Sequence, residues 1–346
     1  MAKAQLEKMS SDRLLQLDDV EVGFSTRDGL VTAVNGVSYH VNRGEVLGIV
    51  GESGSGKSVT VRAIMRLLAN NAREGAGTIR FNPDGDTEYV LSGQPRDSRT
   101  MRHLRGGRIG MIFQEPMTAL SPVHTIGSQI VRTIMLHRKV GRAEARARAV
   151  GLLARVQLPQ PERMLDRYPH QMSGGMRQRA MIALALACDP ALLIADEPTT
   201  ALDVTTEAQI LELLKSLQEE LGMAIIFITH NFGVVADIAD RVAVMYLGRI
   251  VETGDVDDIF FNPQHPYTQA LLQSIPRLGQ KHQHRLKTIR GSVPDPYNIP
   301  SGCPYHTRCD FADISICARK VPPNVHVARG QEALCHFVGK LPELTQ

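Results

Sequence analysis

Val46-Leu47-Gly48-Ile49-Val50-Gly51-Glu52-Ser53-Gly54-Ser55-Gly56-Lys57-Ser58 is the stretch on which the fold turns. Its first five residues form an apolar run of strand length, and the next eight fit G-x-x-x-x-G-K-[ST]. A helical pattern opens near Val59 and runs to Asn70–Asn71. Strand, glycine loop and helix in this order supply what a phosphate chain requires. The glycines let the backbone curl so that successive N–H groups and the helix N-terminus face the anion. Lys57 adds a cation for the β- and γ-oxygens, and Ser58 offers a hydroxyl to Mg²⁺. The expected nucleotide contacts are Gly51, Ser53, Gly54, Ser55, Gly56, Lys57, Ser58 and Val59.

Outward from this loop the pattern alternates between strands and helices. Leu14–Phe24 and Val31–Val41 read as strands joined by the turn Ser25–Gly29, Thr78–Phe81 as a third, and Pro83–Asp97 as polar loop. Arg108–Phe113 is a strand, followed by an Arg/Ala-rich helical stretch, Thr125–Val156, broken at Gly141. Helix Met176–Ala187, strand Ala191–Ala195 and helix Thr206–Leu221 come next. Strand Ala224–Thr229, helix Phe232–Ala239 and strand Arg241–Leu247 complete an α/β order. Near residue 255 prolines become frequent and the basic stretch Lys281–Lys287 appears, read as solvated linker. The division is therefore 1–255, an α/β domain, and 256–346, a small loop-rich module.

Composition narrows the function classes. The 346 residues carry 39 Lys and Arg against 36 Asp and Glu, a formal charge of +3, with no Trp. That balance leaves no wholesale basic footprint for nucleic acid or anionic lipid. The longest apolar run, Ala180–Cys188, has nine residues, against the ~20 that cross a bilayer. The first residues lack the apolar core of a secretory signal.

Two further features carry chemistry. Strand Ala191–Ala195 ends in Asp196-Glu197-Pro198, and in an open parallel sheet ligands lie beyond the carboxyl ends of strands. Asp196 there reaches Mg²⁺ through its water shell. Glu197 is placed to polarise water against a γ-phosphate, which favours hydrolysis over transfer to an acceptor. His230 closes the next strand on the same edge, as a γ-phosphate sensor. Ser173-Gly174-Gly175 opens a second glycine-rich helix and hence a second anion site. Two such sites exceed the needs of one nucleotide, so the second is expected to serve a nucleotide on another subunit.

With Gln114 after strand Arg108–Phe113 and Ala201-Leu202-Asp203 after Glu197, these motifs, in this order, resemble an ABC ATPase. The resemblance implies a P-loop NTPase fold: a mixed sheet core plus a helical subdomain, with the Cys-containing module appended. It implies that Phe24 stacks on adenine, and that Ser173, Gly174 and Gly175 close over the partner's γ-phosphate. It further implies that Gln114 touches metal and relays to a membrane subunit, and that Asp203 crosses the dimer interface. Departures are Met172 and Met176, where the general family has Leu and Gln, and Asn231, where Asp is common. Gln114–Leu120, His170-Gln171 and His265-Pro266-Tyr267-Thr268 resemble, more narrowly, the ATP-binding subunits of bacterial dipeptide/oligopeptide importers.

That resemblance implies ATP and Mg²⁺ as ligands. The expected partners are a second, paralogous ATPase subunit, two permease subunits and, indirectly, a solute-binding protein. Nucleic acid is not expected as a partner, and the expected place is peripheral, on the cytoplasmic face of the inner membrane. Nickel or a sugar- or opine-type solute remains open beside peptide. A soluble ABC ATPase acting on nucleic acid is disfavoured, because the 116 positions from Lys57 to Ser173 hold no sustained heptad. A P-loop kinase is disfavoured by Glu197.

Four of the five cysteines, Cys303, Cys309, Cys317 and Cys335, fall in the last 44 residues. The segment looks too small to build much core, and metal binding can be the folding energy of such a module. Zinc sites favour C-x₂₋₄-C knuckles, which are missing. The wider spacing suits four thiolates, and the resemblance implies a [4Fe–4S] cluster at these cysteines. Zinc, or unligated or oxidised thiols, stay open, with His306 and His336 as neighbours able to replace a ligand. Cys188 reads as core.

Overall fold

The computed structural model describes residues 9–200, 202–275, 289–327 and 330–342. Ala201 and the basic stretch Lys281–Lys287 lie outside the described residues. The chain opens with a long hairpin, β1 (Arg13–Thr26) and β2 (Gly29–Asn42), and β3 (Val46–Val50) then runs into α1 (Lys57–Ile64). β4 (Ala72–Glu74), β5 (Thr78–Phe81), β6 (Tyr89–Val90), α2 (Arg99–Leu104) and β7 (Ile109–Ile112) follow. A helical region comprises α3 (Pro116–Ala119), α4 (Ile126–His137), α5 (Arg142–Arg155) and α6 (Pro161–Met164). The chain re-enters the core through α7 (Gly174–Ala185), β8 (Leu192–Asp196), α8 (Val204–Leu221), β9 (Ala224–Thr229), α9 (Phe232–Ile238) and β10 (Arg241–Tyr246). β11 (Arg249–Asp255), α10 (Val256–Phe261), α11 (Pro266–Gln273), α12 (Ile314–Cys317), β12 (Asn324–His326) and β13 (Glu332–Leu334) complete it.

The main sheet has eight strands in the order β12-β13-β11-β10-β3-β9-β8-β7, parallel from β10 to β7 and antiparallel beyond β10. Its central strands read as continuous apolar runs because both faces are covered. Leu193 and Ala195 of β8 enter the cluster formed with α4, α5, α7 and α8. Leu192 and Ile194 enter the opposite cluster, shared with α1 and the antiparallel sheet β2-β1-β5-β6. A fully buried side chain of this size contributes about 1.5–3 kcal/mol, so β3, β8 and β9 are rigid mounts for whatever their ends carry. Among the described residues no helix is long and apolar enough to cross a membrane.

Both ends of α1 differ from the sequence expectation, and its stop has a physical reason. α1 starts at Lys57 and stops at Ile64, well before Asn70. Arg66 takes φ +55, Leu67 N–H bonds to Arg62 O at 2.8 Å and Arg66 N–H to Ala63 O at 3.1 Å. That pair of bonds is a Schellman stop, built here without the glycine that would announce it. The long helical stretch is indeed two helices, with Gly141 at the N-cap of the second.

The C-terminal segment is not left to its own core. β13 pairs with β11, and Tyr267, Leu272 and Tyr305 are buried with Val242, Val244 and Tyr246 of β10. Glu252 of β11, only 1% exposed, accepts from the N–H groups of Gln264 (2.6 Å) and His265 (3.0 Å) and from Gln331 Nε2 (2.9 Å). Burial outweighs these donors and pushes the carboxyl up to about 7. The folded chain then holds a proton that the unfolded chain, with an ordinary glutamate pKa, releases. This contribution is full below about pH 4.5 and is lost as pH rises through about 7. Denaturant unfolding at pH 5 and pH 8 is expected to show the parent losing about 3 kcal/mol more than Glu252→Gln across that range. Identical slopes in the two proteins would refute the assignment.

Candidate nucleotide site and the C-terminal cysteines

Gly51 has φ +151, and a Cβ there would lie 2.1 Å from Met245 O; at Gly56, with φ +104, it would lie 2.4 Å from Ala33 O. Only glycine lets the loop pass so close to β10 and β2. The curl brings Lys57, which is 5% exposed, across the loop: Nζ donates to Gly51 O (2.7 Å) and Glu52 O (2.9 Å). Burial holds the Lys57 pKa below its ordinary value, against the opposing pull of Glu197, Asp196 and Glu52.

The β8 terminus meets this loop directly. Ser58 Oγ donates to Asp196 Oδ1 at 2.8 Å, and burial raises the Asp196 pKa despite that bond. A hydroxyl and a carboxylate brought together are hard oxygen donors of the kind Mg²⁺ takes, so the pair fits the ion. Glu197, one residue on, is a non-glycine residue at φ +47. Such a conformation costs of order 1–3 kcal/mol and persists only where neighbours over-determine it. Here Glu197 N–H bonds to Ile228 O at 3.0 Å, and the carboxylate accepts from Gln114 Nε2 (2.9 Å) and Thr200 Oγ1 (3.1 Å). His230 Nδ1 stands 3.5 Å from its other oxygen, Oε1. Lys57, Ser58, Gln114, Asp196, Glu197 and His230 therefore form one connected group. Thr200 was not anticipated, and nothing in a lone threonine three residues past a carboxylate would announce it.

The second anion motif stands apart from the first. Among the described residues no hydrogen bond or ion pair joins Ser173, Gly174 or Gly175 to Gly51–Ser58. Ser173 caps α7, its Oγ accepting from Met176 N–H at 3.4 Å, and both glycines lie within the first turn rather than before it. Met176 packs on the helical core, while the amide of Gln178, two residues on, bonds Pro198 O. Asp203 caps α8 through Thr206 N–H and Oγ1, both at 2.9 Å, and these bonds lower its pKa. Asn231 caps α9 by accepting from Gly233 N–H at 3.0 Å, so the departure from Asp keeps the cap and loses only charge. Phe24 lies on β1, half-buried against the same core as Val59.

Cys303, Cys309, Cys317 and Cys335 are free thiols, near enough to influence one another electrostatically, yet among the described residues no three His, Cys, Asp or Glu draw together as metal ligands. Neither a [4Fe–4S] nor a zinc ligand set is supported. The segment shares the apolar core of β10 and β11. Cys303 and Cys309 pack against that core, and burial pushes their thiols up to about 11 and about 12. Cys188 is buried, as expected.

A P-loop at the end of β3, a carboxylate pair at the end of β8 and a capped second glycine motif on this mixed sheet define an ABC-type ATPase. The ABC transporter family pattern matches residues 34–200, and that of the oligopeptide/dipeptide transporter C-terminal region matches 251–317. The chain is 50% identical over 333 residues to a putative peptide import ATP-binding protein of Brucella melitensis, covering 94% of this chain and 98% of that one. It is 48% identical over 322 residues to the oligopeptide transport ATP-binding protein OppD of Bacillus subtilis (91% and 86%). It is 47% identical over 324 residues to the dipeptide transport ATP-binding protein DppD of Escherichia coli (94% and 96%). Among solved structures, a dimeric ATP-binding cassette with ADP and Pi aligns at TM-score 0.61 and 28% identity, over 70% of this chain and 99% of that one. A component of an ABC transporter complex from Clostridium perfringens aligns at 0.58 and 30% (72% and 91%). The chain belongs to the family of ATP-binding subunits of oligopeptide/dipeptide ABC transporters, and is an ATP-hydrolysing transporter subunit.

Proposed function

We propose that this subunit energises import of di- or oligopeptides, paired with a second and paralogous ATPase subunit beneath two permease subunits that a solute-binding protein supplies. Its place is then peripheral, on the cytoplasmic face of the inner membrane. The reading treats 1–255 as the ATPase domain and 256–346 as a module attached to it. Phe24 stacks on adenine, and Gly51, Ser53, Gly54, Ser55, Gly56, Lys57, Ser58 and Val59 hold the phosphates. Ser58 and Asp196, with Gln114 nearby, hold Mg²⁺, whose charge when bound offsets the β- and γ-oxygens. Glu197 takes the proton of the attacking water and His230 senses the γ-phosphate. Ser173, Gly174 and Gly175 face the partner's nucleotide, and Asp203 crosses to it.

One observation carries the coupling part of this reading: Gln114 bonds Glu197 directly and sits where the surface turns apolar. Phe113, Met117 and Val123 are all exposed on the flanking segment. Large apolar side chains left in water beside a polar relay fit a surface that receives another subunit. The test is reconstitution of the subunit with its permeases and ATPase partner in proteoliposomes. ATP hydrolysis is expected to rise several-fold with peptide-loaded binding protein, and Met117→Asp with Val123→Asp to abolish that response while basal hydrolysis persists. A response unaffected by both substitutions would move the docking surface elsewhere.

A further inference from the structure

The phosphate loop contains one acid, Glu52, and that acid is held by the C-terminal segment. Arg308 Nη1 and Nη2 donate to Glu52 Oε2 at 2.7 Å and Oε1 at 3.0 Å, across 256 residues of chain. Such two-pronged pairs are strong and geometrically demanding. The Arg308 side chain is 3% exposed. Its Nε donates to Arg290 O at 3.0 Å, and its guanidinium lies 5.7 Å from the Tyr246 ring centroid and 6.0 Å from that of Tyr305. The backbone of Glu52 is held as well: its N–H donates to Tyr267 OH at 2.9 Å, and its carbonyl accepts from Lys57 Nζ at 2.9 Å and Ser55 N–H at 3.2 Å. Tyr267 and Arg308 thus grip the residue that in turn anchors the loop's lysine.

An acid in a loop that receives a triphosphate is electrostatically costly unless a cation offsets it. Lys57 is needed for the phosphates, so the offset must come from elsewhere. We propose that Arg308 is a positioning residue of the nucleotide site: it neutralises Glu52 and, with Tyr267, fixes the loop in the shape that accepts the triphosphate. The C-terminal segment is then a structural part of the ATP site, and ATP affinity reports its packing. The proposal rests on the reading of Gly51–Ser58 as the phosphate cradle.

The test is ATP affinity of the full chain, measured by calorimetry with Mg²⁺, beside a melting curve for each variant. Arg308→Gln is expected to weaken ATP binding about tenfold, the scale of a single uncompensated charge near a polyanion. Arg308→Lys, which keeps charge but loses the fork, is expected to fall between the two. Glu52→Gln in the Arg308→Gln background should recover most of the loss, because no charge is then left unpaired. Glu52→Gln alone removes the acid and the fork's hold together, so its ATP affinity is expected to stay within about threefold of the parent, and it keeps the idea testable where Arg308→Gln does not fold. Parental affinity in Arg308→Gln overturns the proposal, as does an equal loss in the single and double variants or a tenfold loss in Glu52→Gln. Lys57→Ala is the separate control: parental ATP affinity there would sink the cradle reading itself.

Discussion

Glu197→Gln is expected to cut ATP turnover by about three orders of magnitude while leaving ATP affinity within a few-fold of the parent, the range that loss of a positioned base produces. The substitution changes almost nothing in shape. A glutamine oxygen still accepts from Gln114 Nε2, now 2.9 Å from the carboxylate, and from Thr200 Oγ1, now at 3.1 Å. The strained backbone at φ +47 is held by the bond of its N–H to Ile228 O and survives unchanged. What disappears is the proton acceptor and the charge facing His230. Lys57, Ser58 and Asp196, proposed to meet the nucleotide, keep their partners. Phosphate release and nucleotide binding measured on one preparation separate the two effects. Hydrolysis at the parental rate would remove Glu197 from the role of base, and loss of binding would make it structural.

The core of the site was legible because each of its parts carries a local signal. Val46–Val50 is apolar throughout, the loop after it needs glycine at positions where the chain brushes β10 and β2, and Asp196-Glu197 follows another apolar strand. Gln114 had no such signal. A glutamine after a strand is ordinary, and only its order among the other motifs pointed to it; the bond to Glu197 is tertiary. Boundaries failed where the stop was unmarked. Arg66 ends α1 in a left-handed conformation that a sequence reader assigns to glycine, and Gly174 and Gly175 enter α7 because Ser173 caps it, whereas their composition argues for loop.

The attachment of the C-terminal segment was hidden for a different reason. Its strands, β12 and β13, have three residues each, too short to show alternation, and they gain stability only by adding to β11. The bonds that hold the segment reach across the chain: Glu252 to Gln331, Glu52 to Arg308 and Tyr267. Without those contacts the four cysteines were the main visible source of order, because the shared apolar core is assembled only in three dimensions. Glu52 itself was a usable clue, since an acid inside a phosphate loop asks for a cation, and the sequence offers no basic neighbour except the lysine already committed.

Lys57→Ala is expected to weaken ATP and ADP binding by at least about a hundredfold while AMP, which lacks the β- and γ-phosphates, binds the variant and the parent alike. Lys57 bonds with its charge to two loop carbonyls, Gly51 O at 2.7 Å and Glu52 O at 2.9 Å, at the mouth of a helix N-terminus. Each hydrogen bond to a charged group is worth about 1.5–3 kcal/mol, and a hundredfold is about 2.7 kcal/mol, so one or two lost contacts to phosphate oxygens suffice. The electrostatic loss compounds it. Glu197, Asp196 and Glu52 all act on this ammonium, and with it gone a triphosphate would enter a site lined by carboxylates. The fold should tolerate the change, because the glycine turns and the flanking bond of Thr60 N–H to Gly56 O at 3.0 Å do not involve the side chain. Calorimetric titration with the three nucleotides, beside a melting curve, is the measurement. Equal loss for AMP, ADP and ATP would mean that the lysine shapes the loop and does not read phosphate, whereas a loss confined to ADP and ATP places its charge on the β- and γ-oxygens.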